Sequence, residues 1–193
     1  MSKNFYISDL HFGHKNIIGF DSRPWNDLAE MEKGLINNWN SVVTKEDTTY
    51  ILGDFCWSKD DKEWIRLLKS LNGIKVLIKG NHDLNKMSVP LKNCFADIKD
   101  YKEINDNGYN VILCHYPILA YKHSYDPFVF MLYGHVHNTK EAEMIDGFVN
   151  QIKINRTDKY GNRGQLINVS SCRSYMNYTP KTLEELINAS KNY

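Results

Sequence analysis

The chain has 193 residues, 42% of them hydrophobic and 24% charged, the balance of a water-soluble globular protein long enough to bury a core. Lys and Arg total 24 against 23 for Asp and Glu, a formal charge of +1. This argues against a chain that binds nucleic acid or an anionic membrane through bulk positive charge. There is no apolar run near the roughly 20 residues that span a bilayer. Cys56, Cys94, Cys114 and Cys172 form no C-x-x-C pair, so a reduced cytoplasmic protein is expected.

Taken in order, the chain alternates strand and helix signals. Residues 3–8 read as a short strand. From Asp27 to Val43, apolar positions Leu28, Met31, Leu35, Trp39 and Val42 recur at helical spacing, with Asp27 as N-cap and Glu30 at the capping-box position. Residues 48–52 read as a strand. Residues 60–71 read as a helix that carries Trp64, Leu67, Leu68 and Leu71 and stops at Gly73. Residues 75–78 form the next strand. Two runs, 98–104 and 109–114, flank Asn107-Gly108, a hairpin signal because both central turn residues need φ > 0. Residues 129–133 and 166–170 read as further strands. Residues 139–165, with Arg156, Lys159 and Arg163, are either a solvated loop or a cleft wall. A last helix follows Thr179-Pro180, with proline at its first position. One layered α/β domain with mixed sheets is expected over residues 1–193.

Ligand-type residues recur just after the strands: Asp9-Leu10-His11, then Gly53-Asp54, Gly80-Asn81-His82-Asp83, His115, and Gly134-His135-Val136-His137. Open α/β sheets gather their ligands at the carboxyl ends of strands. Glycine before three of these clusters permits unusual backbone angles and close approach. Asp9, Asp54, Asn81, His11, His115, His135 and His137 offer oxygen and nitrogen without thiolate, a set suited to Mn, Fe, Zn, Ni or Co. They exceed what one four-coordinate ion uses, so two ions sharing a carboxylate is the economical arrangement. Such a centre stays positive, attracts phosphate, and supports in-line displacement by activated water.

D-x-H, G-D, G-N-H-D, H and G-H-x-H in this order resemble the calcineurin-like metallophosphoesterase superfamily. The string Asp9-Leu10-His11-Phe12-Gly13-His14 is similar to its small bacterial and phage members. The resemblance implies a four-layer α/β/β/α sandwich of two mixed sheets. It implies one metal on Asp9, His11, Asp54 and His137, and a second on Asp54, Asn81, His115 and His135, with Asp54 as bridge. Manganese is the first choice of metal. A metal-bridging hydroxide would attack phosphorus, with Asp54 and His82 as the catalytic residues and Asn81 and His82 on the phosphate. His14 either contacts the phosphate or caps a turn. Arg23 is either a phosphate clamp or a structural arginine. One position departs from the family pattern: Trp57 stands where many members carry the second Asp of G-D-x-x-D, which orients the catalytic histidine.

The expected substrates are phosphate esters, with phosphodiesters or nucleotide-derived esters ahead of monoesters. Nuclease action and a non-catalytic metal-binding scaffold are the alternatives. The aromatic residues of 116–133 either pack against the second sheet or stack a nucleobase. Cys56 and Cys114 are expected beneath the site rather than in it.

Overall fold

A computed structural model describes residues 2–155 and 165–190. The first sheet is built from β1 (Asn4–Ile7), β2 (Thr48–Ile51), β3 (Ile74–Ile78) and β4 (Asp97–Lys99), neighbours in that order and all parallel. An antiparallel bridge from Lys181 to Tyr6 extends it at the β1 edge. The second sheet has the order β5 (Tyr101–Asp106), β6 (Tyr109–Cys114), β7 (Val129–Tyr133) and β8 (Leu166–Asn168). Its β5–β6 pair is antiparallel and the other two pairs are parallel. This is the expected mixed α/β architecture with two four-stranded sheets.

Side-chain alternation along β7 shows how the second sheet is covered. Phe130 and Leu132 join a core that includes Ile7, Ile51 and Leu77 of the first sheet. Met131 and Tyr133 point the other way and pack with Val136, Ala142 and Val149. Short helices α1 (Ile17–Phe20) and α4 (Val89–Lys92) lie in loops, and Ala142 and Val149 belong to helix α5 (Lys140–Asn155). The first core also takes Met31, Leu35 and Trp39 from α2 (Leu28–Val42), and Trp64, Leu67 and Leu68 from α3 (Asp61–Ser70). Both buried indoles keep a partner: Trp39 Nε1 donates to the Asn72 carbonyl (3.0 Å) and Trp64 Nε1 to the Ser58 carbonyl (2.8 Å).

Local signals account for most boundaries. Asp27 caps α2 by accepting from the Glu30 amide at 2.8 Å. Asn107 (φ 52°) and Gly108 (φ 89°) form the two-residue hairpin turn, both left-handed as the Asn-Gly reading requires.

Three expectations need correction. The run 98–104 is not one strand: Asp97–Lys99 pairs with β3, whereas Tyr101–Asp106 pairs with β6, so the chain changes sheets at Asp100. A uniform β signal cannot show such a switch. The last helix, α6 (Leu183–Ser190), begins three residues after Pro180. Thr182 starts it, its amide and hydroxyl donating to Glu185 Oε2, because Lys181 is engaged with β1. Within 139–165, Lys140–Asn155 is helical rather than loop. Arg156, Lys159 and Arg163 lie outside the described residues.

Tyr6 crosses between the sheets. Its hydroxyl donates to Asp106 Oδ2 at 2.7 Å in a buried setting, and its ring stacks on Tyr50 with centroids 5.4 Å apart. Burial, reinforced by Asp106, pushes the phenol's pKa upward and keeps it a donor. Removing this hydroxyl leaves Asp106, only 6% exposed, short of a partner. Tyr6→Phe should therefore lower unfolding free energy by about 1–3 kcal/mol in denaturant titration. An unchanged midpoint and slope would show that the bond contributes nothing.

Candidate metal centre

Each predicted cluster follows a strand whose carboxyl end faces one place. Asp9 follows β1, Asp54 follows β2, Asn81 and His82 follow β3, His115 follows β6, and His135 and His137 follow β7. The two sheets are sewn together here, Ser8 bridging Ser170 in parallel. The Ser8 amide donates to the Val169 carbonyl (2.9 Å) and the Ser171 amide to the Ser8 carbonyl (2.9 Å). The loops interlock as well: the Asp9 amide reaches the Gly53 carbonyl (3.1 Å), and the His11 amide the Asp54 carbonyl (2.9 Å).

The backbone is strained where the ligands stand. Asp9 (φ 55°), His11 (51°), Asp54 (52°), His135 (72°) and His137 (46°) all adopt left-handed conformations, costly for residues with a Cβ. The glycines answer a spatial need. A Cβ on Gly80 would lie 2.3 Å from Asp54 Oδ1, and one on Gly134 2.6 Å from Asp9 Oδ2. Of the three glycines that precede the clusters, Gly53 alone also has a positive φ (85°).

Hydrogen bonds aim the donors. Asp9 is fully buried; Oδ2 accepts from the hydroxyls of Ser8 (2.7 Å) and Ser170 (2.6 Å), and Oδ1 lies 3.6 Å from His137 Nε2. Asp54 Oδ1 accepts from the His82 amide (2.9 Å). Its Oδ2 lies between His11 Nε2 (3.7 Å) and His115 Nε2 (3.6 Å). His115 Nδ1 is 2.7 Å from the Leu52 carbonyl, which can only accept, so Nδ1 carries the proton. Nε2 then faces Asn81 Oδ1 at 3.0 Å and Asp54 Oδ2 at 3.6 Å. His137 Nδ1 donates to Asp21 at 3.0 Å, leaving Nε2 facing Asp9 and, at 3.1 Å, His11 Nε2.

The atoms that face one another here, carboxylate and amide oxygens and imidazole Nε2, are all metal-ligating atoms, an arrangement that suits cations and fits divalent metal. Among the described residues, three groups are close enough to share an ion: Asp9–His11–His137, Asp9–Asp54–His115, and Asp21–His137–Cys172 behind the first. His135 stands beside the Asp9–Asp54–His115 group, its ring 5.1 Å from that of His115.

Charge follows the same geometry. Burial pushes Asp54 upward, and pushes the His11 pKa down to about 3. Burial also disfavours a charged His137, but its hydrogen bonds to Asp21 and Cys172 and the charge of Asp9 outweigh this and raise it to about 11. Burial opposes the charge of Asp9 too, and the histidines around it prevail and lower its pKa.

The substrate-side residues divide. His82 lies on the open side, its ring 5.8 Å from that of His11 and 4.7 Å from that of Trp57. Among the described residues no carboxylate bonds its ring: Asp83 turns inward to accept from the amides of Asp54 (3.1 Å), Phe55 (2.9 Å) and Gly80 (2.8 Å). Burial pushes Asp83 up to about 6. His14 packs 4.1 Å from Trp57 and 5.7 Å from His11, at the cleft rather than away from it. Arg23 is corrected from phosphate clamp to scaffold. Its side chain is fully buried, and its five N–H groups go to Asp21, the Asp9 and Leu10 carbonyls, and Met31 Sδ. Cys56 is buried as expected, and Cys114 is half-buried. Among the aromatics of 116–133, Tyr121 and Phe130 pack inward and Tyr125 and Phe128 are exposed. Tyr116 borders the site, its ring 4.7 Å from that of His135.

Sequence reasoning missed Asp21, Cys172, Ser8, Ser170 and Ser171. Cys172 Sγ lies 3.9 Å from His137 Nδ1, and the Ser171 hydroxyl donates to the Asp9 carbonyl (2.8 Å). Asp21 had one available signal, its place two residues before Arg23 in the loop after His14. The serines had none, because Ser170 meets Asp9 only through the fold.

A sequence model described as calcineurin-like phosphoesterase matches residues 5–169. An uncharacterised protein of Methanocaldococcus jannaschii is 40% identical over 138 residues, covering 71% of this chain and 70% of that protein. The gene 66 protein of mycobacteriophage L5 is 41% identical over 86 residues, 43% of this chain and 41% of its own length. A crystal structure of a protein of unknown function from Aquifex aeolicus superposes with a TM-score of 0.63 at 28% identity, covering 98% of this chain and all of that one.

Asp21→Asn should weaken the hold on metal, because it removes the charged acceptor that fixes the His137 tautomer. Titration calorimetry with Mn²⁺ should show a loss of about 10–100-fold in affinity. Affinity equal to the wild type's would show that Asp21 only anchors its loop.

Proposed function

Since this chain belongs to the calcineurin-like phosphoesterase family, we propose that it is a dimetal hydrolase of phosphodiesters. One observation carries the reading: metal-ligating oxygen and nitrogen atoms from both sheets converge on one another, Asp54 Oδ2 lying between His11 and His115. Two divalent ions, Mn²⁺ first among them, would activate water and spread the charge of the phosphoryl group when bound. Asp9, His11, Asp54 and His137 would hold one; Asp54, Asn81, His115 and His135 the other.

The remaining chemistry belongs to the chain. Asp54 ties the two positions together and, through Oδ1 and the His82 amide, fixes the backbone that carries His82. His82 contacts the phosphate and stabilises the transition state or protonates the leaving oxygen. His14 adds a second imidazole on the same side of the cleft. Asn81, whose amide neutralises no metal charge, keeps the centre positive toward phosphate.

A diester is favoured over a monoester by the surroundings of His82. Its ring has Trp57 beside it instead of a carboxylate, so its strength as an acid is not reinforced. A diester presents less charge and can leave more readily, which lessens the need for that acid. No helix among the described residues is long and apolar enough to cross a membrane. A cytoplasmic setting and a small phosphate ester or nucleotide as substrate fit this reading better than a nucleic-acid duplex, given the near-neutral chain.

Chelation by EDTA should abolish turnover of a chromogenic phosphodiester, and Mn²⁺ should restore it. Asp54→Asn and His82→Ala should each lower kcat by about 100-fold or more while the unfolding midpoint of the metal-free chain stays close to wild type. Wild-type turnover in both variants would refute the reading.

A further inference from the structure

Of the four tryptophans, Trp39 and Trp64 are buried, Trp25 packs edge-on against Tyr178, and Trp57 alone is exposed, with 38% of its surface open. It stands beside the phosphate-facing residues. Its ring lies 4.7 Å from that of His82 and 4.1 Å from that of His14, and His14 lies 6.3 Å from Phe20, which is 75% exposed. Phe20, His14, Trp57 and His82 thus form a continuous row of rings that ends beside the metal ligand His11.

The row is held rigid. The Trp57 amide donates to the Phe12 carbonyl (2.8 Å), and Cys56 bridges Phe12 in parallel, so the backbone beneath the indole belongs to the same interlock that places His11 and Asp54. A rigid exposed indole pays little conformational entropy when a ligand covers it. Lys59 completes the surface. Its ammonium is 5.8 Å from the indole centroid and donates to the His82 carbonyl at 3.2 Å, and among the described residues it pairs with no carboxylate.

We propose that Trp57, with Lys59 beside it and Phe20 beyond His14, is a base-stacking subsite, so that the substrates are nucleotide-derived phosphate esters whose planar ring lies on the indole while the phosphate reaches His82 and the metal centre. This rests on the phosphoesterase reading above and extends it to the organic part of the substrate. Aromatic faces accept any base, so the subsite selects for a planar ring and not for one particular nucleobase. The cation beside the indole adds attraction for a negatively charged chain.

The test is binding to the Mn²⁺-loaded full chain, which does not depend on turnover. Adenosine 5′-monophosphate and ribose 5-phosphate share the phosphate and sugar and differ in the base. Wild-type protein should bind the nucleotide at least about tenfold more tightly in equilibrium dialysis. Trp57→Ala should reduce that preference below about threefold, Trp57→Phe should keep most of it, and Phe20→Ser should lower it by a smaller factor. A wild type without preference, or a preference that survives Trp57→Ala, overturns the subsite. Equal loss of both ligands in Trp57→Ala also overturns it, because Trp57 would then act only by positioning His82. Failure of the wild type to hydrolyse any phosphate ester would refute the hydrolase reading and leave the binding result to be judged by itself.

Discussion

Two carboxylates, Asp9 and Asp54, are buried side by side at the seam between the sheets. Burying like charges together is costly, and the rest of the site answers that cost. Hydroxyls of Ser8 and Ser170 hold Asp9, the His82 amide holds Asp54, and histidines face the free oxygens of both. The need for positive charge at this point makes the arrangement a metal centre rather than a polar core. It also explains why the histidines are turned as they are. His115 and His137 each donate through Nδ1 to a fixed acceptor and so present Nε2 to the carboxylates.

The same constraint reaches outward through Asp21 and Arg23. Asp21 sets the His137 ring, and Arg23 sets Asp21 while donating to the carbonyls of Asp9 and Leu10. One guanidinium therefore ties the loop after the first motif to the backbone of that motif. The site's left-handed residues are held by these bonds and by the interlocked loops, which offset the strain at Asp9, His11 and Asp54. Catalytic geometry here is a property of the seam, and it is built with main-chain bonds that no side-chain substitution can easily copy.

Around this rigid floor the rim is aromatic. Trp57 replaces a carboxylate that would have strengthened His82, and it gives the cleft a flat apolar wall in return. On the reading proposed above, the exchange suits the site to easier leaving groups and to substrates that bring a ring of their own. Asp83, the sequence neighbour of His82, accepts instead from three amides of the floor.

Much of this was legible in the sequence, for reasons that differ by residue. Asp9, His11, Asp54, Asn81, His82, His115, His135 and His137 could be found because each stands directly after an apolar run, and the end of a parallel strand is a fixed place in space. Gly80 and Gly134 could be marked as close approaches because nothing larger than hydrogen fits against Asp54 and Asp9. The local rules also placed the Asn107-Gly108 turn and the Asp27 cap. The tertiary structure decided what depends on contacts distant in sequence. It cut the run around Asp100 between two sheets, because sheet membership is set by the partner strand and not by propensity. It brought Ser170 across 161 positions to Asp9, and Asp21 across 116 to His137. It made Arg23 scaffold rather than phosphate clamp, because only folding shows which acceptors surround a guanidinium. The chain by itself specified which atoms could bind metal; the packing of two sheets fixed where their lone pairs point.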